Sequence, residues 1–269
     1  MSEQPNVLQA ILASTRKRVA RALVEDEDTQ TLRLPRMTSG PNDFLEALRA
    51  NQGRAVIAEI KMGSPRLGRL EGRFDPLHLA ELYARAGATA LSVVVEPDHF
   101  FGSYELLDRC RRASGLPAIA KDFVVDARQV EWAYRAGAGA ILLIASTLDV
   151  DRMQEIAAAT RRLGLVPLVE VHDQADIEKV NAAVGAGPPW ELVGVNNRDL
   201  STFEVDLERS ISLVPSLPKG ALRVAESGIR SEEDIVRLSV AGFDAFLVGE
   251  SLLLAEDPET LLRSLAGRG

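Results

Sequence analysis

The sequence of 269 residues contains a single cysteine, Cys110, and only three histidines. One cysteine excludes an internal disulfide and any metal site built from a cysteine cluster, and we predict that Cys110 packs inside a helix. No apolar run reaches the roughly 18 residues that a membrane-spanning helix needs, and the N-terminus lacks the apolar stretch of a signal peptide. These absences predict a cytoplasmic protein that does not enter a membrane.

Basic residues are also fewer than acidic residues. The chain has 31 Lys and Arg residues against 39 Asp and Glu residues, which gives a net charge of −8. A surface of this sign does not attract nucleic acid, although it is compatible with a local anion-binding site. Apolar residues make up 46% of the chain and charged residues 26%, which is ordinary for a globular protein with a large core. The length suits two small domains or one α/β barrel.

The chain divides into a predicted N-terminal helical extension, residues 1–50, and a predicted barrel domain, residues 51–269, on which the extension packs. Val7–Ala22 carries apolar residues at helical spacing. Pro41–Arg49 predicts a second, short helix. The polar, proline-containing segment Glu25–Pro41 between the two helices is predicted to be irregular.

From Ala55 onward, short apolar runs alternate with amphipathic helical patterns. The runs are almost continuously apolar, as expected for parallel strands covered on both faces. The predicted strands are Ala55–Ile60, Ala90–Val95, Ala118–Lys121, Ala140–Ile144, Val166–Val171, Leu192–Asn196, Arg223–Glu226 and Ala245–Val248. The predicted helices between them are Pro76–Ala86, Tyr104–Ala113, Ala127–Ala136, Val150–Leu163, Gln174–Ala183, Leu207–Val214, Glu232–Ala241 and Pro258–Leu265. Eight such units favour an α/β fold closed into a (β/α)8 barrel over a doubly wound open sheet, and no GxGxxG motif follows the first strand.

Polar side chains follow the predicted strands at their carboxyl ends, the edge of such a barrel that carries the active site. The third strand ends in Lys121, whose burial is costly unless the ammonium is paired or binds an anion. A plain salt bridge to the neighbouring Asp122 is the simpler alternative. Glu59 and Lys61 share one face of the first strand because side chains alternate, either as part of the site or as a structural pair. The other polar residues at strand ends are Glu170, His172, Asn196, Asn197, Arg198, Glu226, Ser227 and Glu250.

Glycines in the loops after the seventh and eighth strands predict a phosphate site. Gly228 and Gly249 place backbone amides beside predicted helix starts, in the two loops that usually bind phosphate in this architecture. The alternative is that both glycines only serve their turns. Ser64, in the loop after the first strand, supplies a hydroxyl for the same anion.

Neither a metal site nor a hydroxyl nucleophile is expected. His172 is predicted to share a face with Glu170, but the pattern offers no third ligand. Ser64, Ser103 and Ser227 do not lie in nucleophile-elbow motifs. Aromatic residues near predicted strand ends can line a pocket for a flat ring, although most aromatic residues belong to a core. These aromatic residues are Phe100, Phe101 and Phe123.

Taken together, the strand ends resemble those of the indole-3-glycerol-phosphate synthase family. The matching stretches run in the family's order from about residue 55 to 258 and are specific as a set, whereas Glu-Ser-Gly-Ile alone is not. They are Ile57–Lys61 with Ser64-Pro65, Phe101–Ser103, Lys121–Phe123, Ala140–Ala145, Leu168–His172, Gly194–Leu200, Ala225–Ile229 and Phe246–Glu250.

The resemblance implies a TIM barrel that converts 1-(2-carboxyphenylamino)-1-deoxyribulose 5-phosphate into indole-3-glycerol phosphate, with loss of carbon dioxide and water, in tryptophan biosynthesis. It implies neither a metal nor an organic cofactor. The implied partner is this small sugar phosphate, and association with other enzymes of the pathway stays open.

The resemblance also implies roles for single residues. In the family the lysine of Lys-Asp-Phe, here Lys121, is the general acid, and the glutamate of the fifth strand, here Glu170, is the general base of the dehydration. The lysine of the first strand, here Lys61, engages the anthranilate carboxylate and has been assigned an acid role as well. Residues implied to shape the site are Glu59, Asn196, Arg198, Glu226 and Ser227. Residues implied to lie around the phosphate are Ser64, Gly228, Gly249 and Glu250, the last through its backbone amide. Residues implied to contact the anthranilate ring are Phe100 and Phe123.

The loop after the first strand departs from the family's pattern. Met62 replaces a basic residue, and Arg66 and Leu67 replace a serine and a basic residue. Ala120 and Val95–Pro97 depart as well. These departures leave two alternatives: a paralogue with an altered rate or substrate, and a scaffold that binds an anthranilate-like sugar phosphate. A phosphoribosylanthranilate isomerase needs a cysteine and an aspartate as its acid and base, and the first strand has neither.

Overall fold

The computed structural model describes residues 7–25, 43–65, 68–70, 72–184, 187–198 and 204–268. Eight parallel strands close into a barrel in which each strand pairs with the next along the chain, and the first also pairs with the last. The strands are β1 (Ala55–Ile60), β2 (Ala90–Val94), β3 (Ala118–Lys121), β4 (Ala140–Ile144), β5 (Val166–Val171), β6 (Leu192–Asn196), β7 (Leu222–Glu226) and β8 (Ala245–Val248). The predicted (β/α)8 TIM barrel is therefore confirmed.

Two helices precede the barrel strands, and further helices alternate with them. The helices are α1 (Val7–Glu25), α2 (Asp43–Ala50), α3 (Pro76–Ala86), α4 (Tyr104–Ser114), α5 (Ala127–Arg135), α6 (Val150–Arg162), α7 (Gln174–Val184), α8 (Leu207–Leu213), α9 (Glu232–Ala241), α10 (Glu250–Leu254) and α11 (Pro258–Leu265). Helices α3, α4, α5, α6 and α9 each follow an Asp or Ser whose side chain accepts a hydrogen bond from an amide in the first turn. These caps satisfy amides that have no partner within the helix and so fix where each helix begins.

The predicted boundaries need small corrections. Within the barrel the predicted strands and helices agree with the observed ones to within one residue at each end. Helix α1 continues to Glu25, beyond its predicted end, and the rest of the segment predicted to be irregular lies outside the described residues, as do Pro41 and Asn42. Helix α10 was not predicted from the sequence, nor was a short hairpin in which Gly63–Ser64 pairs with Gly68–Arg69.

The amino-terminal end of the barrel is closed by α2. Phe44, Leu45 and Leu48 of this helix are buried in one cluster with inward-facing residues of the barrel strands, among them Ile57. Contact is close at Gly139, just before β4, where an added Cβ would lie 2.8 Å from the Cβ of Phe44. The half of the barrel next to the amino-terminal ends of the strands is therefore a packed apolar core.

Helix α1 lies at the opposite, carboxyl end of the strands. Arg18 of α1 forms an ion pair with Asp98, in the loop after β2, at 3.1 Å between Nη1 and Oδ2. The hydroxyl of Ser14 lies 3.2 Å from Nε2 of His99. The division into an extension and a barrel domain stays a prediction. None of the described helices combines the length and the apolar character needed to cross a membrane.

Replacing Phe44 by alanine is expected to lower the free energy of unfolding by about 3–5 kcal/mol, because the side chain is fully buried beneath the barrel. Urea-induced unfolding followed by circular dichroism measures the change. Val240→Ala on α9 is the control, since Val240 is 85% exposed and its truncation should cost less than about 0.5 kcal/mol. Equal unfolding midpoints for Phe44→Ala and the wild type would contradict this placement of α2.

Candidate active site

Lys121, at the end of β3, reaches across the barrel mouth to two glutamates. Its Nζ lies 2.9 Å from Oε2 of Glu170, on β5, and also contacts Oε2 of Glu226, on β7. Both glutamates are buried. The simpler alternative, a pair with Asp122, is wrong, because Asp122 turns to the other side and accepts a hydrogen bond from the hydroxyl of Tyr104 at 2.8 Å.

The three groups differ in their protonation. Burial disfavours the charged form of Lys121, but the charges of Glu170, Glu226 and Glu59 outweigh it and raise the pKa of the ammonium above its usual range. Burial raises the pKa of Glu226 to about 8, against the pull of Lys121 and with support from the charge of Glu170. Burial acts in the same direction on Glu170, but Lys121 and His172 lower its pKa to about 2. Two carboxyl groups on one ammonium are thus held in opposite protonation states, which suits acid-base chemistry.

A second ion pair lies at the end of β1. Nζ of Lys61 is 3.0 Å from Oε1 of Glu59, so the predicted common face is confirmed. Burial favours the neutral form of Glu59, but Lys61 and Lys121 overcome it and lower the pKa of this carboxyl group below its usual value. The mouth therefore holds ionised carboxylates next to two lysines.

Two glycines on barrel strands or their ends make room for these carboxylates. A Cβ added to Gly194, on β6, would lie 2.1 Å from Oε1 of Glu226. A Cβ added to Gly249, after β8, would lie 2.3 Å from Oε1 of Glu59. From the sequence, Gly249 was predicted to serve the phosphate alone, and Gly194 was not predicted as a site residue. Only the absence of a side chain at both positions lets the glutamates point into the mouth.

The loop after β7 has a strained backbone that one asparagine supports. Ser227 and Gly228 have φ angles of 68° and 82°, in the left-handed region that a serine rarely adopts. The buried Asn197, after β6, donates hydrogen bonds from Nδ2 to the carbonyl oxygens of Glu226 and Ser227, each at 3.0 Å. Asn197 was quoted in the family motif but not proposed as a site residue.

Arg198 and Glu250 join the loops after β6 and β8. Nη2 of Arg198 lies 3.1 Å from Oε2 of Glu250. The amide of Arg198 donates to Oδ1 of Asn196 at 3.0 Å, which fixes the start of its loop. The next residues of the motif, Asp199 and Leu200, lie outside the described residues.

The paired lysines and glutamates, with Arg198 and Glu250, face one cavity of about 740 Å³, a volume typical of sites for small molecules. Each residue to which the resemblance gave a role lines it, although the individual roles stay predictions. These residues are Glu59, Lys61, Ser64, Phe100, Lys121, Phe123, Glu170, Asn196, Arg198, Glu226, Ser227, Gly228, Gly249 and Glu250. His172, Asn197 and Phe101, the other candidates near the strand ends, are not among its lining residues. The rings of Phe100 and Phe123 lie side by side, with centroids 5.8 Å apart.

Helix α1 adds a wall to the cavity that the sequence analysis missed. Val7, Leu8 and Ile11 line the mouth from above. Their spacing predicted a helix with one apolar face, but it carried no signal of which end of the barrel that face covers. Within the described part of the chain, no three or more His, Cys, Asp or Glu side chains are grouped so that they could hold a metal ion.

Replacing Gly194 by alanine is expected to lower the free energy of unfolding by about 1–3 kcal/mol, because the new methyl group would overlap the buried carboxyl group of Glu226. Chemical denaturation measures this loss. Gly187→Ala is the matched control, since the nearest atom to its Cβ would be 3.9 Å away. Equal stability of both variants would argue against the observed placement of Glu226.

Comparison with known proteins agrees with this geometry. Residues 8–265 match the family model for indole-3-glycerol phosphate synthase. The indole-3-glycerol phosphate synthase of Koribacter versatilis (strain Ellin345) is 42% identical over 264 residues, which cover 97% of this chain and 99% of that protein. The one from Polaromonas sp. (strain JS666 / ATCC BAA-500) is 42% identical over 271 residues, covering 97% and 98%. Among solved structures, 3-hexulose-6-phosphate synthase from Salmonella typhimurium superposes on this chain with a TM-score of 0.62. The two are 14% identical, and the match covers 80% of this chain and 97% of that chain. At so low an identity, the likeness supports the fold alone. The chain belongs to the indole-3-glycerol phosphate synthase family.

Proposed function

We propose that Lys121 and Glu170 carry out the acid and base steps of the family's reaction in this chain, a carboxy-lyase of tryptophan biosynthesis. The substrate is 1-(2-carboxyphenylamino)-1-deoxyribulose 5-phosphate, and the products are indole-3-glycerol phosphate, carbon dioxide and water. One observation carries the proposal: a partly buried ammonium lies between two buried carboxyl groups, whose pKa values are displaced in opposite directions. Such a separation supplies an acid and a base at the same pH.

Ring closure comes first. The aromatic carbon that bears the carboxylate attacks the ketone carbon, and Lys121 gives its proton to the ketone oxygen, which becomes a hydroxyl group. The new carbon-carbon bond interrupts the aromatic ring, and loss of the carboxylate as carbon dioxide restores it. The ammonium of Lys121 is positioned for this step because Glu170 and Glu226 hold it at the mouth.

Dehydration follows. The hydroxyl group leaves as water after protonation, and Glu170 accepts the proton that the ring system releases. Glu170 is ionised at neutral pH because its pKa is lowered to about 2. Glu226, whose pKa is raised to about 8, still holds a proton at neutral pH and returns it to Lys121 through their direct contact. Lys61 is a second source of a proton for the departing hydroxyl group.

Substrate binding divides the cavity into three parts. Lys61 binds the anthranilate carboxylate, and Phe100 and Phe123 contact the anthranilate ring. Glu59, Asn196 and Arg198 hold these groups and the sugar hydroxyls in place. The phosphate lies against the loops after β1, β7 and β8, and the residues proposed to bind it are Ser64, Ser227, Gly228, Gly249 and the backbone amide of Glu250. The side chain of Glu250 is occupied by its ion pair with Arg198.

A paralogue with altered substrate, or a scaffold that only binds the ligand, is the second candidate. It is favoured by the altered loop after β1, of which Met62–Pro65 belong to the described residues while Arg66 and Leu67 lie outside them. The intact contact between Lys121 and Glu170 favours an active enzyme. The biosynthetic role of the family supports a cytoplasmic location, and association with other tryptophan-pathway enzymes is a further proposal that co-purification tests.

Lys121→Ala is expected to lower kcat by roughly 10²–10⁴-fold, the usual contribution of a general acid, without loss of the folded circular dichroism spectrum. Indole fluorescence on mixing enzyme with the carboxyphenylamino-deoxyribulose phosphate follows the reaction, and Glu170→Gln is expected to be impaired in the same assay. Lys219→Ala removes an exposed lysine and serves as the control. A near-normal kcat for Lys121→Ala would contradict its acid role, whereas saturable binding without any product from the wild type would favour the second candidate.

Ser227→Asp is expected to raise KM roughly tenfold or more, because unit charges near a protein surface repel by about 1–4 kcal/mol at 4 Å. Aspartate tolerates the left-handed backbone at this position, so the loop should keep its shape. Ser227→Asn, which has the same shape without the charge, is the matched control. An unchanged KM in the aspartate variant would place the phosphate elsewhere.

A further inference from the structure

One buried histidine at the mouth has no part in the mechanism above. His172 follows β5, two residues beyond Glu170, and only 7% of its surface is exposed. Its Nε2 lies 3.3 Å from Oε1 of Glu170, and its Nδ1 lies 3.4 Å from Oδ2 of Asp176. Among the described residues neither ring nitrogen has a hydrogen-bond partner, so the two carboxylates are the groups that the ring faces.

Asp176 is itself fixed in place. It lies in the first turn of α7 and is buried. Its Oδ2 accepts a hydrogen bond from the backbone amide of His172 at 3.0 Å, and its own amide donates to Oδ1 of Asp173 at 2.9 Å. The carboxylate that faces Nδ1 therefore cannot swing away without losing the hydrogen bond from the amide of His172.

This arrangement determines the charge of the ring. A neutral imidazole donates from one nitrogen and presents a lone pair at the other. Between Glu170 and Asp176, that lone pair would face an oxygen of a carboxylate and repel it. Only the imidazolium form presents an N–H group to both sides, so the two carboxylates favour the protonated ring.

We propose that the imidazolium of His172, oriented by Asp176, is a positioning residue that fixes the carboxylate of Glu170 between itself and Lys121. The two oxygens of Glu170 are divided between these cations, since Oε2 faces Lys121 and Oε1 faces His172. The inference rests on the proposed role of Glu170 as the base of the reaction.

The charged groups around the ring are consistent with this assignment. Burial disfavours the imidazolium, but the nearby carboxylate of Asp176 and the charges of Glu170 and Glu226 outweigh it and raise the pKa of His172 above its usual value. The cations on neighbouring elements have partners of their own. Lys121 binds the glutamates, and Nζ of Lys179, one turn further along α7, donates to the carbonyl oxygens of residues 145 and 148.

The second cation matters because acid and base are in direct contact. Nζ of Lys121 and Oε2 of Glu170 are 2.9 Å apart, so the proton needed for ring closure could pass to Glu170 instead of the substrate. An imidazolium on the other oxygen of Glu170 opposes this transfer. It also keeps Glu170 ionised after Lys121 has given up its proton and its charge.

Nuclear magnetic resonance of the ring nitrogens tests the charge of His172 directly. The chain has three histidines, and the signals that disappear in His172→Gln identify this one in the ¹⁵N-histidine-labelled full chain. We expect both ring nitrogens of the wild type to be protonated at pH 7, with a titration midpoint above the ordinary value of about 6.5. Asp176→Asn should lower that midpoint by about one pH unit. Glu178→Gln, an equal change of charge at an exposed position of α7, should leave it unchanged.

Kinetics test the consequence for catalysis. We expect His172→Gln to lower kcat on the order of 10- to 100-fold, as for a slightly misplaced reacting group, with KM within about twofold of the wild type. The imidazolium is present below the pKa of His172 and lost above it, so kcat of the wild type should fall as the pH rises through that value. Asp176→Asn should move this fall to lower pH. Glu226 also titrates in this range, but it does not contact Asp176, so the shift identifies His172.

A titration midpoint at or below about 6.5 in the wild type, or no change in Asp176→Asn, would overturn the proposal. A uniform loss of kcat in both variants, with an unmoved pH profile, would also overturn it and indicate a structural role. If His172→Gln does not fold, the titration midpoints and pH profiles of the wild type and of Asp176→Asn still decide between these outcomes. Failure of the proposed function can be told apart from failure of this inference. If Glu170→Gln were fully active, Glu170 would not be the base, but the resonance signals of His172 would still be those of an imidazolium.

Discussion

The partial burial of one ammonium group, that of Lys121, is the constraint on which the barrel mouth depends. A buried cation is tolerated only with partners of opposite charge, and the partners come from β5 and β7, on other sides of the barrel. The three strands must therefore end at the same level. The same contact that compensates for the charge places a proton donor next to an ionised carboxylate, so one arrangement of charges determines both the stability of the mouth and its protonation.

The two ends of the barrel differ in polarity: the amino-terminal end is apolar and the carboxyl end is charged. At the amino-terminal end, α2 seals an apolar core with Phe44, Leu45 and Leu48. At the carboxyl end, apolar side chains of α1 border a cavity whose floor is charged. The charges at the floor are held by pairing rather than by solvent, and each glutamate there has a cation within ion-pair distance. Changes to the core of α2 should therefore affect folding, whereas changes at the floor should affect protonation.

The sequence predicted the barrel closely because most strands are apolar runs that end at or next to a polar residue or glycine, and because amphipathic helical patterns separate them. It also predicted the members of the site, since all parallel strands of a barrel end on one side. It could not predict which ends touch. The contact of Lys121 with Glu226 spans 105 positions of sequence, and the one between His172 and Asp176 depends on how α7 turns away from β5. The sequence also could not predict which part of the barrel the apolar face of α1 covers. Helical periodicity shows that a helix has an apolar face, but it does not show which surface that face contacts.

Gly194 and Gly249 leave space that the carboxyl groups of Glu226 and Glu59 occupy. Because no larger residue fits there while these glutamates keep their positions, position 194 within β6 and position 249 after β8 are closed to variation. A change of ligand preference by mutation must therefore come from the surrounding loops and from α1. The paired charged groups inside the barrel would stay unchanged, and variation would be confined to the loops and to α1.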